Sequence, residues 1–329
     1  MAYSTVSILI PAYNAADYIE ETLKSVLAQS WPDIEIIVVD DGSKDATLAK
    51  AQQFEGEKVR VVTQANAGAS AARNLAFSLA RGEYIQYLDA DDLLHPDKIQ
   101  AQMQCLAKQP NTVLSSSAWA KFYTVPDETT LRPTAIWRDY AQPTNWLVDA
   151  WQNMVWMQPS AWLAHRTLIA AAGPWNEELT LHDDGEFFCR VLLQCSAVKF
   201  CPSAKSFYRK GLSESLSSTR SAQAILSHLS VCLLYETHLL GKLDTELTRR
   251  ACANNFQRFI YEHYPLHKEL REVADDHVRK LGGSTVKPIS TPLFKIIDEL
   301  VGWKVSKKMQ DFIYQHKLNP ASWRTRASR

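Results

Sequence analysis

Over the first hundred residues, short apolar runs alternate with helical periodicity, the pattern of parallel strands joined by crossover helices. Val6-Ser7-Ile8-Leu9-Ile10 reads as a buried strand stopped by Pro11. Asp17 and Glu20 have capping-box spacing, and Ile19, Leu23, Val26 and Leu27 mark one helix face. Ile34 to Val39 is a second strand that stops at Asp40-Asp41-Gly42-Ser43, and a helix follows from about Ala46 with Asp45 as its cap. Val59 to Val62 is a third strand, Ala69 to Ala80 a third helix ended by Gly82, and Tyr84 to Leu88 a fourth strand running into Asp89-Ala90-Asp91-Asp92.

Beyond this block the periodicity gives a helix over Lys98 to Leu106 and a strand near Thr112 to Ser116. The stretch from Trp119 to Trp162, rich in tryptophan, tyrosine and proline, gives no secure assignment. A strand over Ser160 to Ala164, a short helix over Thr167 to Ala172 and a helix over Asp183 to Gln194 follow. After about Ser221 the pattern is helical only. Open parallel sheets bind ligands beyond the carboxyl ends of their strands. Pro11 to Asn14, Asp40 to Ser43 and Asp89 to Asp92 all fall at such ends, so one rim of the sheet is the candidate site.

Composition narrows the classes. Of 329 residues, 46% are hydrophobic and 22% charged, the balance of a globular enzyme. The formal net charge of +0 offers no general field for nucleic acid. The six cysteines form no C-x-x-C pair and no zinc-like spacing, so they read as reduced packing residues in a cytosolic compartment. Met1 to Thr5 lack the basic start of a signal peptide. The most apolar stretch, Ala224 to Leu240, is interrupted by Ser227, His228, Ser230, Glu236 and His238, and reads as a packed helix rather than a membrane span.

Asp89 and Asp91 project to the same side of an extended segment, and hard carboxylate oxygens suit Mg²⁺ or Mn²⁺ with phosphates completing the shell. The plainer reading is a solvated acidic turn, and the strand before it together with the neighbouring clusters favours the metal. The carboxylates at Asp40-Asp41 serve either turn geometry or hydrogen bonds to a base or ribose. From Asn66 to Asn74 small residues open a helix, where backbone approaches a ligand closely and phosphate is favoured, with Arg73 supplying charge. His182-Asp183-Asp184-Gly185-Glu186 opens another helix: its acids complement the helix dipole, or one of them is a general base.

In order and spacing these motifs resemble the family 2 inverting glycosyltransferases. The match runs through Pro11-Ala12-Tyr13-Asn14, Val38 to Ser43, Asn66-x-Gly68 leading to Ala71-Ala72-Arg73-Asn74, Gly82-Glu83-Tyr84-Ile85 and Leu88 to Asp92, with a weaker continuation to about residue 218. The resemblance implies an α/β GT-A fold, Rossmann-like, with a mostly parallel sheet flanked by helices. Residues 1–220 would be the glycosyltransferase domain, with a nucleotide-sugar half (1–110) and an acceptor half (111–220), followed by a helical C-terminal subdomain over 221–329. It further implies that Pro11, Tyr13, Asp41, Arg73, Asp89 and Arg209 bind the donor, that Asp91 with Asp89 holds Mn²⁺ or Mg²⁺, and that Asp184, or else Asp183, is the catalytic base. Most relatives have Glu first in this acidic pair, so Asp183 departs from the pattern. Tyr208-Arg209-Lys210 with Ser213, Ser215 and Ser217 has the composition of a lid over the diphosphate, or of a basic edge strand.

The expected reaction moves a sugar, UDP-linked by analogy, from a nucleotide-sugar donor to the hydroxyl of a glycan, a lipid-linked glycan or another acceptor, in cell-surface glycan or glycolipid synthesis. A non-catalytic nucleotide-sugar-binding pseudo-enzyme and a sugar nucleotidyltransferase are the alternatives. The second is disfavoured because Pro11 to Asn14 replaces the glycine-rich basic loop it needs. Trp146, Trp151, Trp156, Trp162 and Trp175 are core residues first and sugar platforms second. Phe294 to Trp303 is amphipathic, and the following Lys304, Lys307, Lys308, Lys317, Arg324, Arg326 and Arg329 suit either a packed helix with a basic end or contact with the inner face of an anionic membrane.

Overall fold

A computed structural model describes residues 3–127, 131–211, 221–288, 297–298 and 300–315. The lid serines Ser213, Ser215 and Ser217 lie outside the described residues, as do Phe294, Ile296, Lys317, Arg324, Arg326 and Arg329. The chain divides into two compact units, Met1–Thr248 and Arg249–Arg329, whereas the residue pattern put its change of character near 220.

In the first unit, β1 (Val6–Ala12), β2 (Ile34–Asp40), β3 (Val59–Thr63) and β4 (Tyr84–Tyr87) pair in parallel in the order β3-β2-β1-β4. Every residue of β1 is buried, which explains why it reads as an apolar run with Ser7 its one polar residue. Helices α1 (Ile19–Leu27), α2 (Thr47–Gln52) and α3 (Ala69–Leu79) make the crossovers. Ile19, Leu23 and Val26 of α1 join Ile8, Ile10, Ile36 and Val38 in the main core. The expected capping box does not form: Tyr18 is the N-cap of α1 and no side chain caps it. Asp45 does accept a hydrogen bond from the Thr47 N–H at 2.9 Å, although Ala46 holds the cap position of α2.

The stretch that resisted assignment contains the end of β6 (Val113–Phe122), then α5 (Pro143–Gln152) and a 3-10 turn, Pro159–Ala161. Of the strand expected over Ser160 to Ala164, Ser160 and Ala161 lie in that turn, while Trp162 is extended and Leu163 bridges Ser115 antiparallel. β7 (Ala164–His165) continues it, pairing antiparallel with β4 at the sheet edge before α6 (Arg166–Ala172). A second sheet has the order β5-β8-β6, built from β5 (Leu93–Leu94), the long β8 (Ala197–Arg209) and β6. The basic segment at Tyr208–Arg209 thus ends a central strand, not an edge. Helix α4 (Lys98–Leu106) packs on β6 and β8, and α7 (Asp183–Gln194) packs against α5, α6 and α8 (Ala222–Lys242). Among the described residues α8 is the one helix long and apolar enough to cross a membrane, at a mean hydropathy of 1.2, but 44% of that window is buried in the fold.

The second unit comprises most of α9 (Glu246–His263), α10 (Lys268–Lys280) and α11 (Trp303–Gln315). Phe256 stacks on His277 at 4.6 Å, and Trp303 sits edge-on to Tyr261 and Tyr264 at 4.7 and 5.1 Å.

Candidate active site

The carboxyl ends of β2, β1 and β4 are adjacent in the sheet, so their three polar loops share one rim. The first two loops clasp each other. Asn14, at φ 48°, accepts from the Lys44 N–H at 2.9 Å and donates its own N–H to Ser43 Oγ at 3.0 Å. Tyr13 beside it is 45% exposed, a flat face at the mouth of the rim, while Pro11 is buried inside β1. Asp41 is almost wholly buried and spends both oxygens on the loop before α3. It accepts from Gln64 Nε2 at 2.7 Å and from the Ala67 and Gly68 N–H groups at 2.9 and 2.8 Å. Gly42 must be glycine, because it has φ 71° and a Cβ there would come 2.9 Å from the Asn66 nitrogen.

Arg73, on the second turn of α3, is buried and its guanidinium spans two segments far apart in sequence. One terminal nitrogen meets Asp89 Oδ1 at 2.8 Å and the other meets Asp183 Oδ2 at 2.7 Å. Ser70, one turn earlier, donates to the same Asp183 oxygen at 3.1 Å, and Trp175 lies under the guanidinium at 4.4 Å. Burial alone would ease the proton off Arg73, but the Asp89 and Asp183 charges outweigh it and hold the group more firmly protonated than usual. A planar fork is the side chain that can bridge two carboxylates in this way.

Below the acidic loop, Arg209 is also buried. It donates to the Asp91 carbonyl at 2.8 Å and to Glu21 at 2.5 Å, over the ring of Phe122 at 4.4 Å. Its backbone N–H donates to Asp92 Oδ1 at 2.9 Å. Arg209 therefore supports the loop from beneath. Asp92 is fully buried with Oδ2 unpartnered, and burial with Asp91 and Asp89 nearby pushes its carboxyl well above the usual range. Burial, and then the Asp89 charge, raise Asp91 to about 6. Crowded carboxylates with an orphaned buried oxygen are a donor set short of positive charge, so Asp89 and Asp91 fit a hard divalent cation.

Opposite, His182 at φ 60° turns the chain into α7, where Asp183 and Asp184 occupy the first turn. The two have different surroundings. Asp183 is paired with Arg73 and Ser70. Asp184 accepts the Gly185 N–H at 2.8 Å, and burial, then the Asp183 charge, raise it to about 7. A carboxylate with its midpoint near neutrality suits proton transfer at physiological pH. Glu186, next along, is buried and bound by Arg190 at 2.7 and 2.8 Å and by His238 at 2.9 Å, so it serves structure.

With this geometry in place, comparison with known proteins is informative. The chain matches the family described as glycosyl transferase family 2 over residues 7–168. Residues 7–168 are a family 2 glycosyltransferase domain. TuaG of Bacillus subtilis (strain 168), a glycosyltransferase assigned to teichuronic acid biosynthesis, is 45% identical over 107 residues, 32% of this chain and 42% of that protein. The chain thus matches less than half the length of this relative. The structure of S. aureus TarS 1-349 in complex with UDP-GlcNAc aligns with a TM-score of 0.61 at 18% identity, covering 84% of this chain and 88% of that one. The mannosyltransferase PcManGT from Pyrobaculum calidifontis, in complex with GDP-Man and Mn²⁺, aligns at 0.53 with 17% identity, covering 95% and 86%. The fold is GT-A, a parallel-rich sheet flanked by helices.

Within the family 2 domain the rim gathers Tyr13, Asp41, Arg73, Asp89 and Asp91, and Arg73 ties them to Asp183, beyond the matched residues. Of the residues expected to bind the donor, Pro11, Asp41, Arg73 and Arg209 are buried, and the side chains of the last three are bonded to protein. Trp146, Trp151, Trp162 and Trp175 are buried, which favours packing over sugar binding. Ser70, read only as one of the small residues opening α3, and Trp175, read as a core residue or sugar platform, were not expected beside Asp183 and Arg73, although the three-residue spacing of Ser70 and Arg73 on one helix face was available to find the first.

Proposed function

We propose that this chain is an inverting glycosyltransferase that transfers a sugar from a nucleotide-sugar donor, a UDP-sugar, to an acceptor hydroxyl in cell-surface glycan synthesis. One observation carries the reading: Arg73 joins Asp89 of the acidic loop to Asp183 of the acid pair, so donor-side and acceptor-side chemistry meet. Asp184 takes the acceptor proton as its oxygen attacks the anomeric carbon opposite the departing nucleotide, inverting that centre. Asp183, neutralised by Arg73, orients this turn of α7. Tyr13 offers its ring to the base, and the backbone of the Gly68 loop, ordered by Asp41, approaches the diphosphate. A divalent cation held by Asp89 and Asp91 would neutralise charge on the leaving diphosphate.

The UDP assignment is supported by the TarS complexes with UDP-GlcNAc and UDP, while the GDP-Man complex of PcManGT makes GDP the control. TuaG and the chondroitin synthase of Pasteurella multocida, 43% identical over 97 residues, support a polysaccharide product. The comparisons give no support to a nucleotidyltransferase or a pseudo-enzyme. Calorimetric titration with UDP and with GDP, each with and without Mn²⁺, tests the reading. Metal-dependent UDP binding supports it, and binding of neither nucleotide removes it.

A lipid-linked acceptor would bring the protein to a membrane face. In support, α11 turns Val305, Met309 and Phe312 outward on one stripe, with Lys304, Lys307 and Lys308 on the same helix. Sedimentation with anionic but not neutral vesicles is the expected result, and equal recovery with both would remove this contact.

A further inference from the structure

Helix α8 lies outside the family match, yet one face of it meets the segment that carries the acid pair, residue by residue. Ser227 Oγ accepts from the Thr180 and Leu181 N–H groups at 3.0 and 3.1 Å and donates to the Leu181 carbonyl at 2.9 Å. His228 places its ring 4.4 Å from that of His182. The Tyr235 hydroxyl fills the space where Gly185 lacks a side chain. His238 bonds Glu186 at 2.9 Å. Positions 227, 235 and 238 fall on one stripe at near-heptad spacing, so a single helix face makes these contacts.

The segment needs such support. His182 holds φ 60°, uncommon for a residue with a Cβ, and such a conformation persists where its surroundings over-determine it. The Ser227 bonds fix the two residues before it, and the Glu186 N–H donates to the His182 carbonyl at 3.2 Å on the other side. From there a short chain of contacts leads to the acid. Trp151 backs the Tyr235 ring at 4.6 Å, Tyr235 backs Gly185, and the Gly185 N–H holds Asp184 Oδ1.

We propose that α8 is the positioning element for the acid pair, and that Tyr235 is the positioning residue that sets the place and the seclusion of Asp184 through Gly185. This rests on the reading of Asp184 as the base. Tyr235 touches no reacting atom. It occupies the volume behind the first turn of α7 that water would otherwise fill. The groups whose charge reaches Asp184 include Asp183, Arg73 and Asp89, none of which Tyr235 replaces, so its removal acts through access of water. A sugar transferase whose acceptor side is set by this helix has its base tuned by residues that the family match does not contain.

The test follows Asp184 directly. In the full chain labelled with ¹³C at aspartate carboxyls, the Asp184 resonance is identified by its loss in Asp184→Asn. Tyr235→Phe removes the hydroxyl and keeps the ring, and Tyr235→Leu is a second variant should the first be too mild. The expected result is a shift of the Asp184 ionisation constant of about tenfold towards the acid side, with Mn²⁺-dependent UDP binding unchanged. Folded variants of both kinds that keep the wild-type titration overturn the proposal. Failure of the wild type to bind either nucleotide overturns the functional reading instead, and leaves the titration to judge Tyr235.

Discussion

Gly185→Ala puts the contact behind the acid pair under direct strain. A Cβ at this position would overlap the Tyr235 hydroxyl oxygen outright, while ring Cζ stands 3.4 Å away. The phenol cannot retreat cheaply, because its ring packs on buried Trp151 at 4.6 Å. Overpacking of this kind costs about 1–3 kcal/mol. Against it stands a gain of at most about 1 kcal/mol from replacing glycine by alanine in a helix. With that gain fully realised, the net expectation is a loss of up to about 2 kcal/mol, or up to about 4–8 °C in melting temperature for a unit of this size. In a Tyr235→Phe background most of the overlap disappears, and the same alanine becomes neutral or stabilising by up to about 1 kcal/mol. The two positions should therefore show an interaction energy of about 1–3 kcal/mol in a double-mutant cycle. Thermal and urea unfolding of the four proteins, followed by circular dichroism, measures it. The same change in stability on Gly185→Ala in both backgrounds would refute the reasoning.

Asp184→Asn should keep Mn²⁺-dependent UDP binding and lower transfer by about 10²–10⁴-fold, and wild-type turnover in that variant would remove Asp184 as the base. The same substitution has a stability signature. The carboxyl is raised to about 7 in the fold from 3.8, so the native state holds the proton that the unfolded chain has released. Wild-type stability therefore falls as pH rises between those values, and Asp184→Asn should melt higher than wild type at pH 8 but not at pH 4, as paired melting curves would show. With Asp91 raised to about 6, Mn²⁺ binding should weaken as pH falls through that value, and Asp91→Ala should abolish the metal dependence of UDP affinity in calorimetry. Arg73→Met leaves two partly exposed carboxylates without their cation and should cost about 1.5–3 kcal/mol in urea unfolding. Arg73→Lys should recover only part of that loss, since one ammonium cannot fork between Asp89 and Asp183.

The donor half was readable because its strands are buried on both faces and end in abrupt polar clusters. Ile34 to Asp41 and Tyr84 to Asp89 change from apolar to acidic within a residue or two, Val6 to Asn14 changes from apolar to polar, and the sheet aligns those changes. The expected Asp183–Gln194 helix is observed because its apolar face has regular helical spacing. The middle of the chain was opaque for a physical reason. Gln158 and Ser160 are fully buried, and Pro159 to Ala161 form a buried turn, so polarity there does not report exposure. β8 sets Lys199 and Lys205 among buried residues and ends in a buried Arg209, which conceals a central strand as a basic segment. Arg209 shows the limit most clearly. Nothing in Tyr208-Arg209-Lys210 reveals that the guanidinium folds under the acidic loop to reach Glu21, since that depends on two strands meeting across more than a hundred residues.

The Arg73 bridge bears on how this chain can be rebuilt. Swapping acceptor specificity between transferases invites a cut near residue 110, where the proposed donor half ends. Such a cut would separate Ser70 and Arg73 from Asp183, their partner across the join. A graft that brings a new acid pair without a matching serine and arginine would strand a buried cation on one side and a carboxylate on the other. The working boundary for a chimera therefore runs through α3, and the two halves are exchangeable only with their shared charge.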